Sequence, residues 1–113
     1  MKINITVKNF ELTPSIKEYI EKKMSVLDKL ITKWVETGSA EINFDAGRTT
    51  KHHHKGMIYY AEANLQVPGK MIRAKRTSDD LHAAIDATRD ILAEELKEYK
   101  GKLKAKNLKN LKS

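Results

Sequence analysis

His52, His53 and His54 are the densest run of metal-ligating side chains in the sequence. A metal centre needs imidazoles that converge on one point, with partners behind them to orient the rings. Adjacent residues on an extended segment point to opposite faces, so the three cannot all converge. They read instead as a polar loop or strand entrance, and no metal or other cofactor is expected. The carboxylates offer little more. Asp79 and Asp86 would lie about two helical turns apart on a similar face. With the histidines, that pair defines the enzyme alternative, a small metal-dependent hydrolase or nuclease. Asp79 and Asp80, however, stand where a helix begins, and its positive end favours acids. Asp86, Asp90 and Glu94 recur every four residues, the spacing of a solvated helix face. There is no Gly-x-Ser-x-Gly nucleophile and no cysteine, and Gly47, Gly56 and Gly69 are too scattered to cradle a phosphate. Neither an enzyme nor a small-molecule substrate is expected.

The basic residues carry a stronger signal. The 113 residues hold 22 Lys+Arg against 15 Asp+Glu, a formal charge of +7. That excess is unevenly placed. Residues 1–47 balance seven bases against seven acids. Residues 48–76 carry seven bases against Glu62 alone, and residues 97–113 carry seven lysines against Glu98 alone. Between them, residues 77–96 set six acids against Arg89. Phosphate binding depends on local density of charge, so two basic blocks point to a polyanion partner such as nucleic acid. The candidate contacts are Lys22, Lys23 and Lys29 on a first helix, and Lys51 and Lys55 in a loop. Arg73, Lys75 and Arg76 follow on a strand, with Arg89, Lys97, Lys100 and Lys104 along a last helix. A zinc finger, an RRM aromatic signature and a basic zipper are all absent.

These bases need a scaffold. Ile3, Ile5 and Val7 alternate with polar residues and predict a half-buried strand. Thr13-Pro14 has the residues of a helix start, and apolar positions from Ile16 to Trp34 recur every three or four residues. One helix of about five turns is expected, ending before Thr37-Gly38. Ala40 to Ala46 alternates as a second strand, and Gly47 to Gly56 reads as a long loop. Met57 to Val67 predicts a third strand, Pro68-Gly69 a turn, and Met71 to Lys75 a fourth strand. Ser78 is the expected N-cap of a second helix with Leu81, Ala84, Ile85, Thr88, Leu92, Leu96 and Tyr99 on its buried stripe, ending near Gly101. The expected fold is α+β, a β-α-β-β-β-α two-layer sandwich. Each strand has one apolar face, so both helices cover the same side of a four-stranded sheet. Residues 1–101 form one domain and 102–113 a basic C-terminal tail that either extends the last helix or stays flexible. Ile58 and Tyr60, on the open sheet face, offer a surface for weak self-association. No apolar run approaches the roughly 20 residues that span a bilayer, so no membrane partner is expected. The alternating N-terminus is not a signal peptide, and the lack of cysteine suits a reducing cytoplasm.

Taken in order, these pieces resemble a known family. Leu12-Thr13-Pro14, Lys17-Glu18-Tyr19-Ile20-Glu21-Lys22-Lys23, Lys55-Gly56, Tyr60-Ala61-Glu62-Ala63 and Pro68-Gly69-Lys70 carry the likeness. Asp79-Asp80-Leu81-His82-Ala83-Ala84-Ile85-Asp86 is its sharpest part. The chain is similar over about residues 1–104 to the ribosome hibernation-promoting factors, also called ribosome-associated inhibitor A or protein Y. The resemblance implies a fold similar to a double-stranded RNA-binding domain. It also implies binding to the small ribosomal subunit and its rRNA, across the mRNA and tRNA channel. Translation would be blocked by occupancy, and idle ribosomes protected, as a cytoplasmic stress response. The alternative is a general RNA-binding module without a stasis role. By the same resemblance Lys23, Lys29, Lys97, Lys100 and Arg73 match basic positions of the family pattern. Ile91 and Glu94 stand where relatives carry Lys and Arg, Val26 where Lys is frequent, and His82 where Tyr is common. Lys75, Arg76 and Arg89 are the expected compensating bases. Family members with an added C-terminal domain pair ribosomes, and residues 105–113 are too few for that domain.

Overall fold

A computed structural model describes the backbone of residues 1–50 and 57–112. The strands are β1 (Lys2–Lys8), β2 (Glu41–Thr50), β3 (Met57–Val67) and β4 (Lys70–Ser78). The helices are α1 (Pro14–Ser25), a 3-10 turn (Val26–Leu30), α2 (Thr32–Glu36) and α3 (Leu81–Lys112). The sheet order is β1-β2-β3-β4, with β1 parallel to β2 and the other two pairs antiparallel. The α+β class and the four-stranded sheet are as expected; its mixed character comes from the parallel β1–β2 pair. A parallel β1–β2 pair cannot be closed by a tight turn, and here the α1-to-α2 segment makes the crossover.

The buried face of the sheet follows the alternation in the sequence. Ile42, Phe44 and Ala46 on β2 lie in register with Leu65, Ala63 and Ala61 on β3, and all six are buried. Ala63 in turn pairs with buried Ala74 on β4. α3 packs across β3 and β4, where these alanines let a helix approach closely. Of its expected stripe Leu81, Ala84, Ile85, Thr88, Leu92 and Leu96 are buried, and Tyr99 is half-buried. Thr88 keeps its hydroxyl satisfied in the core by donating to the Ala84 carbonyl at 2.8 Å.

Three local expectations are corrected. The predicted single first helix is three pieces. Thr13 caps α1 as expected, its Oγ1 accepting from the Ile16 amide at 3.2 Å, but the spiral tightens at Val26 and breaks at Ile31 (φ −136°, ψ 40°). Thr32 there turns its hydroxyl back to the Asp28 carbonyl, which also takes the Ile31 amide. A side chain that competes for a helix carbonyl loosens the ladder. Leu27 in the tightened turn and Ile31 just after it are both buried. The end is as expected: Gly38 (φ 69°) closes a Schellman motif, with Gly38 donating to Val35 and Ser39 to Trp34.

The second strand runs through Gly47 to Thr50, where a loop was expected. The reason is visible at Gly47, which pairs with Tyr60 across the sheet. The Tyr60 ring lies over the glycine, so that a Cβ there would sit 2.2 Å from a ring carbon. The missing side chain is replaced by its neighbour's aromatic face. Gly47→Ala is expected to cost about 1–2 kcal/mol by overpacking. Chemical denaturation should show the cost, and it should vanish in a Tyr60→Ala background. The third correction is the cap of α3: it is Asp80, whose Oδ1 accepts from the His82 amide at 3.0 Å. Ser78 instead accepts from the Asp80 amide at 3.1 Å. Of the two readings of the tail the structure has the extension: α3 passes through Gly101 and continues to Lys112.

Candidate nucleic-acid interface

α1 and α3 lie side by side and run in the same direction, because their contacts climb together along both. Tyr19 meets His82 edge-on with ring centroids 4.4 Å apart, and its hydroxyl donates to Asp86 at 2.7 Å. Lys23 pairs with Asp86 at 3.7 Å. Farther along, the Lys100 ammonium donates to the Leu30 carbonyl. The charge blocks of the sequence therefore become two ends of one surface. Asp79, Asp80 and Asp86 mark the start of α3, and the lysines gather toward its far end. At 1.5 Å per residue a 32-residue helix spans about 48 Å. Acids at the N-terminus and lysines at the C-terminus also suit its dipole.

The basic end has a definite shape. Lys29 to Trp34 and Lys100 line an open cleft of about 330 Å³. Its wall holds three lysines, Lys29, Lys33 and Lys100, and no carboxylate. Trp34 stands beside Tyr99, ring centroids 6.1 Å apart and tilted by 39°. Tyr99 is fixed by donating to the Pro68 carbonyl at 2.7 Å, and the Lys70 ammonium sits 5.4 Å from its ring centroid. A continuous helix would have used the Leu30 carbonyl for the Trp34 amide. The break at Ile31 leaves it to Lys100, which closes the cleft from the α3 side.

The predicted contacts separate into groups. Lys29 and Lys100 meet at the cleft, where Lys100 reaches the carbonyl of Leu30, 70 residues away in sequence. Lys97 and Lys104 are exposed on the same helix, and Lys22 is exposed on α1. Lys23 and Arg89 are engaged with carboxylates, Lys23 with Asp86 and Arg89 with Asp90 at 2.7 Å. Arg73 and Lys75 project from the open sheet face, whereas Arg76 alternates to the helix side, so the three do not form one flat patch. Lys75 faces Glu62 at 3.9 Å and lies 5.2 Å over the Tyr60 ring. Near them Asp45 and Glu62 stand directly opposite each other, so the open face mixes both signs of charge. Ile58 and Tyr60 on that face are half-buried. Lys51, Lys55 and the three histidines lie outside the described residues. Among the described residues no group of three His, Asp or Glu could hold a metal ion.

Three residues of this end escaped the sequence reading: Lys33, Lys70 and Trp34. Lys29 and Lys33 are four apart, which was a usable signal. Trp34 fits the apolar spacing of the first helix and packs partly against the core, and it also lines the cleft. The departures on α3 have plain structural correlates. Ile91 is half-buried and packs against the core, so the position gives apolar contact where a base would give charge. Glu94 is exposed, and Val26 is 49% exposed.

At the acidic end, burial and then the Asp86 hydrogen bond push the Tyr19 hydroxyl up from 10.0 to about 12. A raised phenol favours the folded state while it stays protonated, so this contribution is complete below pH 10 and is lost as pH rises toward 12. An absorbance titration of tyrosinate is expected to show a late step that disappears in Tyr19→Phe.

Comparison with known proteins agrees with this architecture. Residues 3–104 match the family model described as Sigma 54 modulation protein / S30EA ribosomal protein. A ribosome hibernation promoting factor of Klebsiella oxytoca is 33% identical over 104 residues, 92% of this chain and 98% of that protein. A ribosome hibernation promotion factor of Deinococcus radiodurans is 30% identical over 82% of this chain, which spans only 46% of that longer protein. The crystal structure of the Thermus thermophilus Protein Y N-terminal domain superposes with a TM-score of 0.66 at 27% identity, covering 88% of this chain and 99% of that one.

Proposed function

The chain belongs to the Sigma 54 modulation protein / S30EA ribosomal protein family, and from that premise we propose that it is a ribosome hibernation factor. It binds the small ribosomal subunit in the mRNA and tRNA channel, contacts rRNA through its basic end, and holds idle ribosomes out of translation. It acts by occupancy and catalyses no reaction. It works in the cytoplasm; among the described residues no helix is long and apolar enough to cross a membrane.

The observation that carries this reading is the convergence of Lys29, Lys33 and Lys100 from separate elements on one carboxylate-free surface, continued by exposed Lys97 and Lys104. Sucrose-gradient co-sedimentation tests it. The protein is expected to travel with isolated small subunits and to be displaced when mRNA and tRNA are added together. A general RNA-binding module would instead bind naked duplex RNA as well as it binds the subunit, and competition with duplex RNA distinguishes the two. Weak self-association through Ile58 and Tyr60 is a separate part of the proposal, tested by sedimentation velocity over a concentration series.

A further inference from the structure

General affinity for a polyanion needs only exposed lysines; it does not need a hollow. The cleft at the basic end is a hollow of about 330 Å³, at the lower end of the roughly 300–1,000 Å³ range of small-ligand sites. Its inside is apolar, formed by Leu30, Ile31 and Trp34, and its charged groups are Lys29, Lys33 and Lys100. Trp34 is half-buried, leaving part of the indole accessible, and Tyr99 braces it from the side. An aromatic wall with ammonium groups around it suits a flat, apolar ring that carries a phosphate. In a duplex the base faces are stacked away, so only an unpaired nucleotide can present such a ring.

We propose that this cleft takes one unpaired nucleotide of RNA, its base against Trp34 and its phosphate among Lys29, Lys33 and Lys100. The inference rests on the protein's being an RNA binder and specifies which feature of the RNA it selects. Phosphate contact supplies affinity that any sequence can share, and the indole supplies preference for a single-stranded position over a paired one. The absence of any carboxylate in the cleft wall removes the repulsion that the acidic end of α3 would impose on the same group.

Trp34 is the sole tryptophan of the chain, so its fluorescence reports this cleft directly. Titration of the full chain with adenosine 5′-monophosphate is expected to quench the emission saturably. Its midpoint should be at least fivefold lower than that of adenosine or of inorganic phosphate. A single-stranded RNA hexamer should quench at a concentration at least tenfold lower than a blunt duplex of the same length. Lys29→Gln with Lys33→Gln, both at exposed positions, should raise the hexamer midpoint at least fivefold while leaving the circular dichroism unchanged. Equal quenching by duplex and single strand, no quenching by the monophosphate, or an unaltered midpoint in the double variant would each overturn the proposal. Wild-type co-sedimentation with small subunits, run alongside, separates the two levels. Binding to subunits without quenching rejects the cleft and keeps the ribosome reading; quenching without subunit binding does the reverse.

Discussion

Replacing Lys29, Lys97 and Lys100 together by Ala is expected to lower affinity for the small subunit on the order of a hundredfold near 0.1 M salt. Each lysine that neutralises a phosphate releases about one counterion, so its loss also lowers the salt dependence. If about five phosphates are contacted, the wild-type log–log slope is about −4, and the triple variant should flatten it by about two to three. Co-sedimentation at a series of potassium concentrations measures both quantities. The three positions are exposed and pair with no carboxylate among the described residues. Lys100 also holds the Leu30 carbonyl, so a Lys100→Arg control retains a donor and should keep most of the affinity. Arg73→Ala with Lys75→Ala should cost less. Lys75 already faces Glu62, and the surrounding sheet face carries Asp45 and Glu41 as well. An affinity and slope that match wild type in the triple variant would remove the basic end from the interface.

Phe44→Ala is expected to destabilise the fold by about 3–5 kcal/mol. Phe44 is 1% exposed at the centre of β2. Its row across the sheet reads Ile5, Phe44, Ala63, Ala74. The ring is thus the large member beside two small ones, and it fills the volume that the alanines leave under the helices. Truncating it puts three alanines in one row. The cost is the lost transfer energy plus that of the cavity. Because a domain of this size is stable by only about 5–15 kcal/mol, the variant should unfold at a much lower urea midpoint. Phe44→Leu keeps most of the volume and should cost about 1–1.5 kcal/mol. Equal midpoints for wild type and Phe44→Ala would show that the sheet face is loosely packed.

Much of the fold was legible because burial imposes a period. Alternation in β1 to β4 and the three-and-four spacing of α3 placed the core residues on the correct faces. Local rules failed where a neighbour distant in sequence decided the outcome. Gly47 reads as a loop residue until Tyr60 covers it from the next strand. Ile31 fits a helical stripe and is buried, yet its backbone leaves the helical region (φ −136°, ψ 40°).

The sequence by itself determined the α+β class, the two-layer arrangement, the family likeness and the separation of charge into blocks. Each is set by composition or by short-range periodicity, which the chain carries wherever it goes. Only the tertiary structure decided where those charges meet. Parallel packing of α1 against α3 turns an acidic block and a basic block into opposite ends of one surface. The break at Ile31 opens a cleft, and Lys100 arrives there from α3 to join Lys29 and Lys33. Proximity between residues so far apart depends on how two helices dock on a sheet, and no local pattern encodes that docking.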